Sequence, residues 1–192
     1  EDGLDVGGGP VNLYGENQAN TNSSNGVFLG GQMGTIFTLD SLEANHNGQW
    51  GMWLQSGSLA LTTDSAYLRL NQNGQDDAYP HRGGLRVDSG QVASGAVPAF
   101  TVQDNQGDGV RLWPSETGGV LATLWNLDIQ NNVGRGIVAS AGLTLNQGTL
   151  CGNTGGNLFA LQVPTINDPQ VNTCDADGDN VSDSVENQAA NS

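Results

Sequence analysis

The sequence predicts an all-β chain wound as a solenoid of about five to six coils, and three observations predict it. A Gly-apolar-x-apolar phrase recurs as Gly26-Val27-Phe28-Leu29, Gly51-Met52-Trp53-Leu54, Gly84-Leu85-Arg86-Val87, Gly109-Val110-Arg111-Leu112 and Gly136-Ile137-Val138-Ala139. A weaker copy begins at Gly156, with Leu158, Phe159 and Ala160. Ahead of each Gly lies an Asn preceded by alternating apolar residues, as in "FTLDSLEAN", "AYLRLNQN" and "AFTVQDN". Between copies sits another short alternating run, as in "SLALT", "GGVLATL" and "GLTLN".

Each part of a coil has a physical reason. A period of two places alternate residues on one face, so the apolar set of every run points inward. One coil cannot bury its inward face alone, whereas stacked coils share a continuous core. The copies begin 25, 33, 25, 27 and 20 residues apart, and the runs of successive coils then pair as parallel strands about 4.8 Å apart. Gly and Asn are expected at the corners because both tolerate positive φ. Asn45, Asn73, Asn105, Asn131 and Asn153 form a candidate ladder of side chains bonded along the axis.

These phrases resemble the right-handed parallel β-helix family, the pectate-lyase-like repeat, over about residues 4–165. The resemblance implies a β-helix domain at 1–165, followed by a linker and acidic segment at 166–192. In polysaccharide lyases of that family it implies a basic residue that abstracts a proton beside acidic groups that hold calcium. It implies clustered Asp residues in the hydrolases and esterases.

Composition narrows the function classes. The chain has 192 residues, 20 acidic against 5 basic side chains, and a net charge of −15. No Lys occurs, so every basic residue is Arg. Such a charge argues against nucleic acid and anionic membrane surfaces, which need a cationic patch. It suits an exported chain that collects divalent cations. No apolar run is long enough to span a membrane as a helix. The opening "EDGLDVGGGP" reads as a mature or trimmed start. The even pair Cys151 and Cys174 is expected to form a disulfide in such a compartment.

The x position of the repeated phrase points outward, giving a column Phe28, Trp53, Arg86, Arg111 and Val138. Two residues further on, the same side carries Gly30, Gln55, Asp88, Trp113 and Ser140. Phe28, Trp53, Arg86, Asp88, Arg111 and Trp113 are therefore the candidate ligand face. Aromatic rings stack on sugars, and guanidinium forks suit carboxylated sugars. A covering loop, a neighbouring domain or another subunit is the competing explanation for this stripe. Arg86 and Arg111 with Asp88, and Asp104 and Asp108 nearby, come nearest to a lyase set, yet Arg is a poor base. The 33-residue coil carries "NGQDDAYPHRGG", which offers Asp76, Asp77, Tyr79, His81 and Arg82 for acid–base or metal chemistry. His46, in "ANHNGQ", reads as a solvated turn residue.

The last segment changes character. "DADGDNVSDSVE", residues 175–186, spaces its acids as a calcium loop does. Asp175, Asp177, Asp179, Asp183 and Glu186 would supply side-chain oxygens, and Val181 its carbonyl. The stretch resembles the bacterial thrombospondin type 3 repeat and satisfies most of an EF-hand loop.

Two readings of function follow. The first is an extracellular, non-enzymatic surface or structural protein with a calcium-stabilised end: an adhesin stalk, a glycan-binding module or a filament subunit. Its partners would be a polysaccharide or other copies of itself, packed head to tail or laterally. The alternative is a calcium-dependent polysaccharide lyase or related carbohydrate-active enzyme.

Overall fold

A computed structural model describes residues 1–32, 34–61, 66–76, 82–94, 99–113, 120–140, 142–167 and 171–172. The described chain is all-β, without helix, and forms a parallel β-solenoid of about 6 turns.

Each turn has three faces. Face 1 is a 7-stranded parallel sheet of Leu4–Gly8, Val27–Gly31, Trp50–Ser56, Gly83–Val87, Asp108–Leu112, Ile137–Ala139 and Leu158–Ala160. Face 2 begins with the first halves of Val11–Gln18 and Ile36–Glu43. It continues through Ser58–Leu61, Gly90–Ala93, Val120–Leu124, Leu143–Leu145 and Thr165–Ile166. Face 3 takes the second halves of those two long strands. Below them stack Tyr67–Arg69, Ala99–Gln103, Leu127–Gln130, Gly148–Cys151 and Val171–Asn172. The long strand Ile36–Glu43 joins faces 2 and 3 by pairing Ile36–Leu39 with Ser58–Leu61, and Ser41–Glu43 with Tyr67–Arg69.

The core follows from the predicted alternation. On face 1, Val27, Met52, Leu85, Val110, Ile137 and Leu158 are register neighbours, all pointing inward and buried. Phe37 and Phe100 fill the interior from the other faces. Each such side chain contributes about 1.5–3 kcal/mol by leaving water.

The corner between faces 3 and 1 fixes the register. A ladder of asparagines runs down it, half-buried at Asn22 and buried at Asn47, Asn73, Asn105, Asn132 and Asn153. Each rung donates from its backbone N, and in most rungs also from Nδ2, to the Oδ1 of the rung below, at 2.8–3.1 Å. Asn73, Asn105 and Asn153 are thus members as expected, but Asn45 and Asn131 are not. The residue just before each ladder Asn has positive φ: Thr21, His46, Gln72, Asp104, Asn131 and Gly152. Asn131 occupies that left-handed position, which a polar side chain tolerates, and is exposed. Asn45 stands one residue earlier, in an outer column where Asn20, Asn45 and Asn71 each accept a bond from the backbone N one coil below.

The glycines of the repeated phrase have a different role from the one expected. Gly26, Gly51, Gly84, Gly109 and Gly136 do not have positive φ. They are glycines because the ladder passes over them. A Cβ on Gly26, Gly51, Gly109 or Gly136 would lie 2.6–2.8 Å from the Nδ2 of a ladder Asn. In the last coil the equivalent position is Asn157, one residue past Gly156, because Ile137 pairs with Leu158. Asn157 Oδ1 accepts from the backbone N and Nδ2 of Asn153 and closes the ladder.

The 33-residue coil leaves its mark on this corner. Asn73 N still reaches Asn105 Oδ1 at 2.8 Å. Its Nδ2, however, is the one buried side-chain polar atom among the described residues with no hydrogen-bond partner.

Candidate functional site

The outward column of face 1 is continuous. Asp5, Phe28, Trp53, Arg86, Arg111, Val138 and Phe159 are successive register partners. The strand alternation that buries Val27 and Leu29 forces Phe28 out, and parallel pairing stacks each x residue over the next.

The upper part forms a closed cluster. The rings of Phe28 and Trp53 meet edge to face at 5.1 Å between centroids. The Arg86 guanidinium lies over the Trp53 ring, 4.4 Å from its centroid. Asp88 is buried and holds both neighbours. It accepts from Arg86 Nε at 2.7 Å, from Arg86 NH2 at 3.0 Å and from Trp53 Nε1 at 3.0 Å. A planar guanidinium stacked on a ring and gripped by a two-pronged carboxylate is held in one orientation. The carboxylate in turn has its charge compensated where solvent scarcely reaches it.

The lower part is arranged differently. Arg111 donates to Asp108 at 3.0 Å and lies 5.8 Å from the centroid of Trp113. The other oxygen of Asp108 accepts from the backbone N of Arg135 at 3.0 Å. The Arg135 guanidinium sits 4.1 Å over the Phe159 ring. Face 1 thus brings all six predicted residues together, in two groups: Phe28, Trp53, Arg86 and Asp88 above, Arg111 and Trp113 below.

Asp108 stands beside Arg111 as the sequence reading placed it, and the Arg135–Phe159 pair is what that reading missed. Counting along the register would have found Arg135. Asp108 and Arg135 each stand three residues before the outward position of their strand, so they are vertical neighbours.

Elsewhere the placements are mixed. Arg82 donates to the backbone oxygen of Asp76 within the insertion, while Asp77, Tyr79 and His81 lie outside the described residues. His46 is exposed in its turn, as expected. Asp104 is exposed at the positive-φ position of its corner. Cys151 is buried at the end of a face 3 strand, and its expected partner Cys174 lies outside the described residues. So do the calcium-loop positions Asp175, Asp177, Asp179, Val181, Asp183 and Glu186. Among the described residues, no three His, Cys, Asp or Glu side chains converge as metal ligands would. No helix there is long and apolar enough to cross a membrane.

On face 3, Arg69 pairs with Glu43 at 2.7 Å and lies 4.5 Å over Tyr67. Desolvation raises the Tyr67 phenol above its ordinary pKa, and the nearby carboxylates of Glu16 and Glu43 add to this, while Arg69 pulls the other way. No protein family, no curated protein and no solved structure matches this chain.

Proposed function

We propose that the chain is an exported, non-enzymatic surface or structural protein: a rigid β-helical rod whose face 1 meets a glycan or another surface. The observation that carries this reading is the mutual engagement of the face 1 side chains. Arg86, Trp53 and Asp88 satisfy one another, which suits a stiff, pre-formed contact surface. It suits a lyase poorly. An Arg whose donors are engaged by a carboxylate has no free acceptor atom with which to take a proton from a sugar. The open edges of Trp113 and Phe159, each with a guanidinium beside it, are the natural place for a sugar ring to rest.

Three finer assignments belong to the same reading. Right-handed winding is the hand that parallel strands and their connections prefer. A Cys151–Cys174 disulfide is supported by register: Gly148 pairs with Val171 and Thr149 with Asn172. The same register, were it to continue for two more residues, would bring Cys174 beside Cys151. Parallel neighbours about 4.8 Å apart fall within the Cα separation a disulfide spans. Calcium binding by residues 175–186 rests on the spacing of their acids, and an ion would offset their mutual repulsion.

The test is a panel of neutral and acidic polysaccharides with calcium present, read for retention of the chain and for new unsaturated or reducing ends. We expect retention without cleavage, weakened in Trp113→Ala. Cleavage that is lost in Arg86→Ala would replace this reading with the enzymatic one. A panel neither bound nor cut would remove glycan contact from it.

A further inference from the structure

We infer that face 2 is the surface through which two copies of this chain pack face to face about a twofold axis, each seating Leu121 in a groove of the other. The inference concerns a different face from the proposed function, so failure of glycan contact on face 1 and failure of this contact are separate outcomes.

The first ground is charge. The outward column of face 2 reads Asn12, Thr38, Ala60, Ala93, Thr123, Thr144 and Thr165, in unbroken register. The column beside it reads Ile36, Ser58, Gln91 and Leu121. Neither contains a charged residue, although the chain carries −15. Faces 1 and 3 differ: their outward columns hold Asp5, Arg86 and Arg111, and Glu43, Arg69 and Asp128. Two molecules of like charge can approach closely only where neither presents that charge, and face 2 is such a place.

The second ground is shape. Leu121 is 53% exposed and Ile36 54%. Leu121 stands between two shallow grooves. One, about 450 Å³, is floored by Gly57 and Gly90 and walled by Ser58 and Gln91. The other, about 340 Å³, lies beside Gly142, Thr144 and Val163. The first groove is lined by bare backbone at Gly90, where a Cβ would fall 1.6 Å from the Gly57 oxygen. A knob beside a hole on one flat face is complementary to itself after a half-turn, which is the requirement of an isologous contact.

The third ground is area. Seven strands at about 4.8 Å, each about four residues or ~13 Å long, give roughly 450 Å² per copy, or ~900 Å² for the pair. That is below the ~1,200 Å² at which stable interfaces begin and in the range of transient ones, so the dimer is weak and concentration-dependent.

Sedimentation equilibrium on the 192-residue chain tests it. We expect a monomer–dimer equilibrium that tightens as sodium chloride rises, because salt screens the repulsion between the two acidic bodies without touching an uncharged contact. Leu121→Arg should weaken the dimer at least tenfold, while Thr101→Arg on face 3 leaves it unchanged. Ala93, at the middle of the column, lies near the proposed axis. Ala93→Cys should therefore give a disulfide-linked dimer on mild oxidation, and Thr101→Cys should not. A strict monomer at high protein concentration overturns the inference. So does a dimer that Leu121→Arg leaves intact, or one that loosens as salt rises.

Discussion

The two corners that flank face 1 are built on opposite plans. The corner from face 3 into face 1 repeats one arrangement in coil after coil: a left-handed residue, then a buried Asn, then the close-packed Gly. The corner from face 1 into face 2 repeats little. It is the single residue Gly57 between two strands in one coil, and the seven residues 113–119 in another. The amide ladder ties coil to coil with bonds that have one correct length, so its corner cannot drift. Among the described residues the other corner carries no such amide ladder, and its length differs from coil to coil. Register in this solenoid is therefore set at one vertical edge, where the ladder Asn stands four residues before its Gly in most coils and eleven before it at Asn73 and Gly84, while the other edge changes length from coil to coil.

Changes that break the ladder should cost most. Asn132→Ala removes the acceptor for two donors of Asn105 and the donor to Val102 and Asn153. Leaving these buried groups unmet should cost about 3 kcal/mol or more in urea unfolding. Gly109→Ala forces a Cβ to within 2.8 Å of Asn132 Nδ2 and 2.6 Å of the Gly136 oxygen. It should cost about 2 kcal/mol by the same measurement.

A change that sharpens the contrast is Thr21→Gly. Thr21 is exposed and β-branched at φ 60°, so Gly there should stabilise by about 1 kcal/mol or less. On the permissive edge, inserting Gly-Ser after Trp113 should cost under about 1 kcal/mol, because lengthening the connection between two strands adds little closure entropy.

The smallest effect lies away from both corners. Glu43→Gln should bring the Tyr67 phenol back toward its ordinary value of 10.0 in a spectrophotometric titration. The raised value means that the fold favours the protonated phenol. Its contribution to stability is full below the ordinary pKa and is lost as pH rises through the folded one.

Much of this was legible in the residues. The three runs per coil and the outward column from Phe28 to Val138 follow from a period of two, which survives any detail of the corners. The ladder was legible in kind but not in register. "NHN" and "QNN" each offer more than one Asn, and only the backbone twist at His46 or Asn131 decides which one turns inward. The glycines were found for the wrong reason, since a close approach from the next coil leaves no trace in local sequence. The weak copy at Gly156 was displaced by one residue because Asn157 stands where a Gly was sought. On face 1 the members were visible, but their mutual engagement was not. That Asp88 would bind both Trp53 and Arg86 depends on side-chain reach across coils.

The ladder also has a direction. Each rung gives its hydrogens to the coil that follows it in the chain. A polypeptide delivered into solution amino end first would at every stage carry one amide awaiting its acceptor, and each newly arrived coil would relieve the one before. Assembly would then draw the chain forward, turn by turn, until Asn157 gives the last donor its rest.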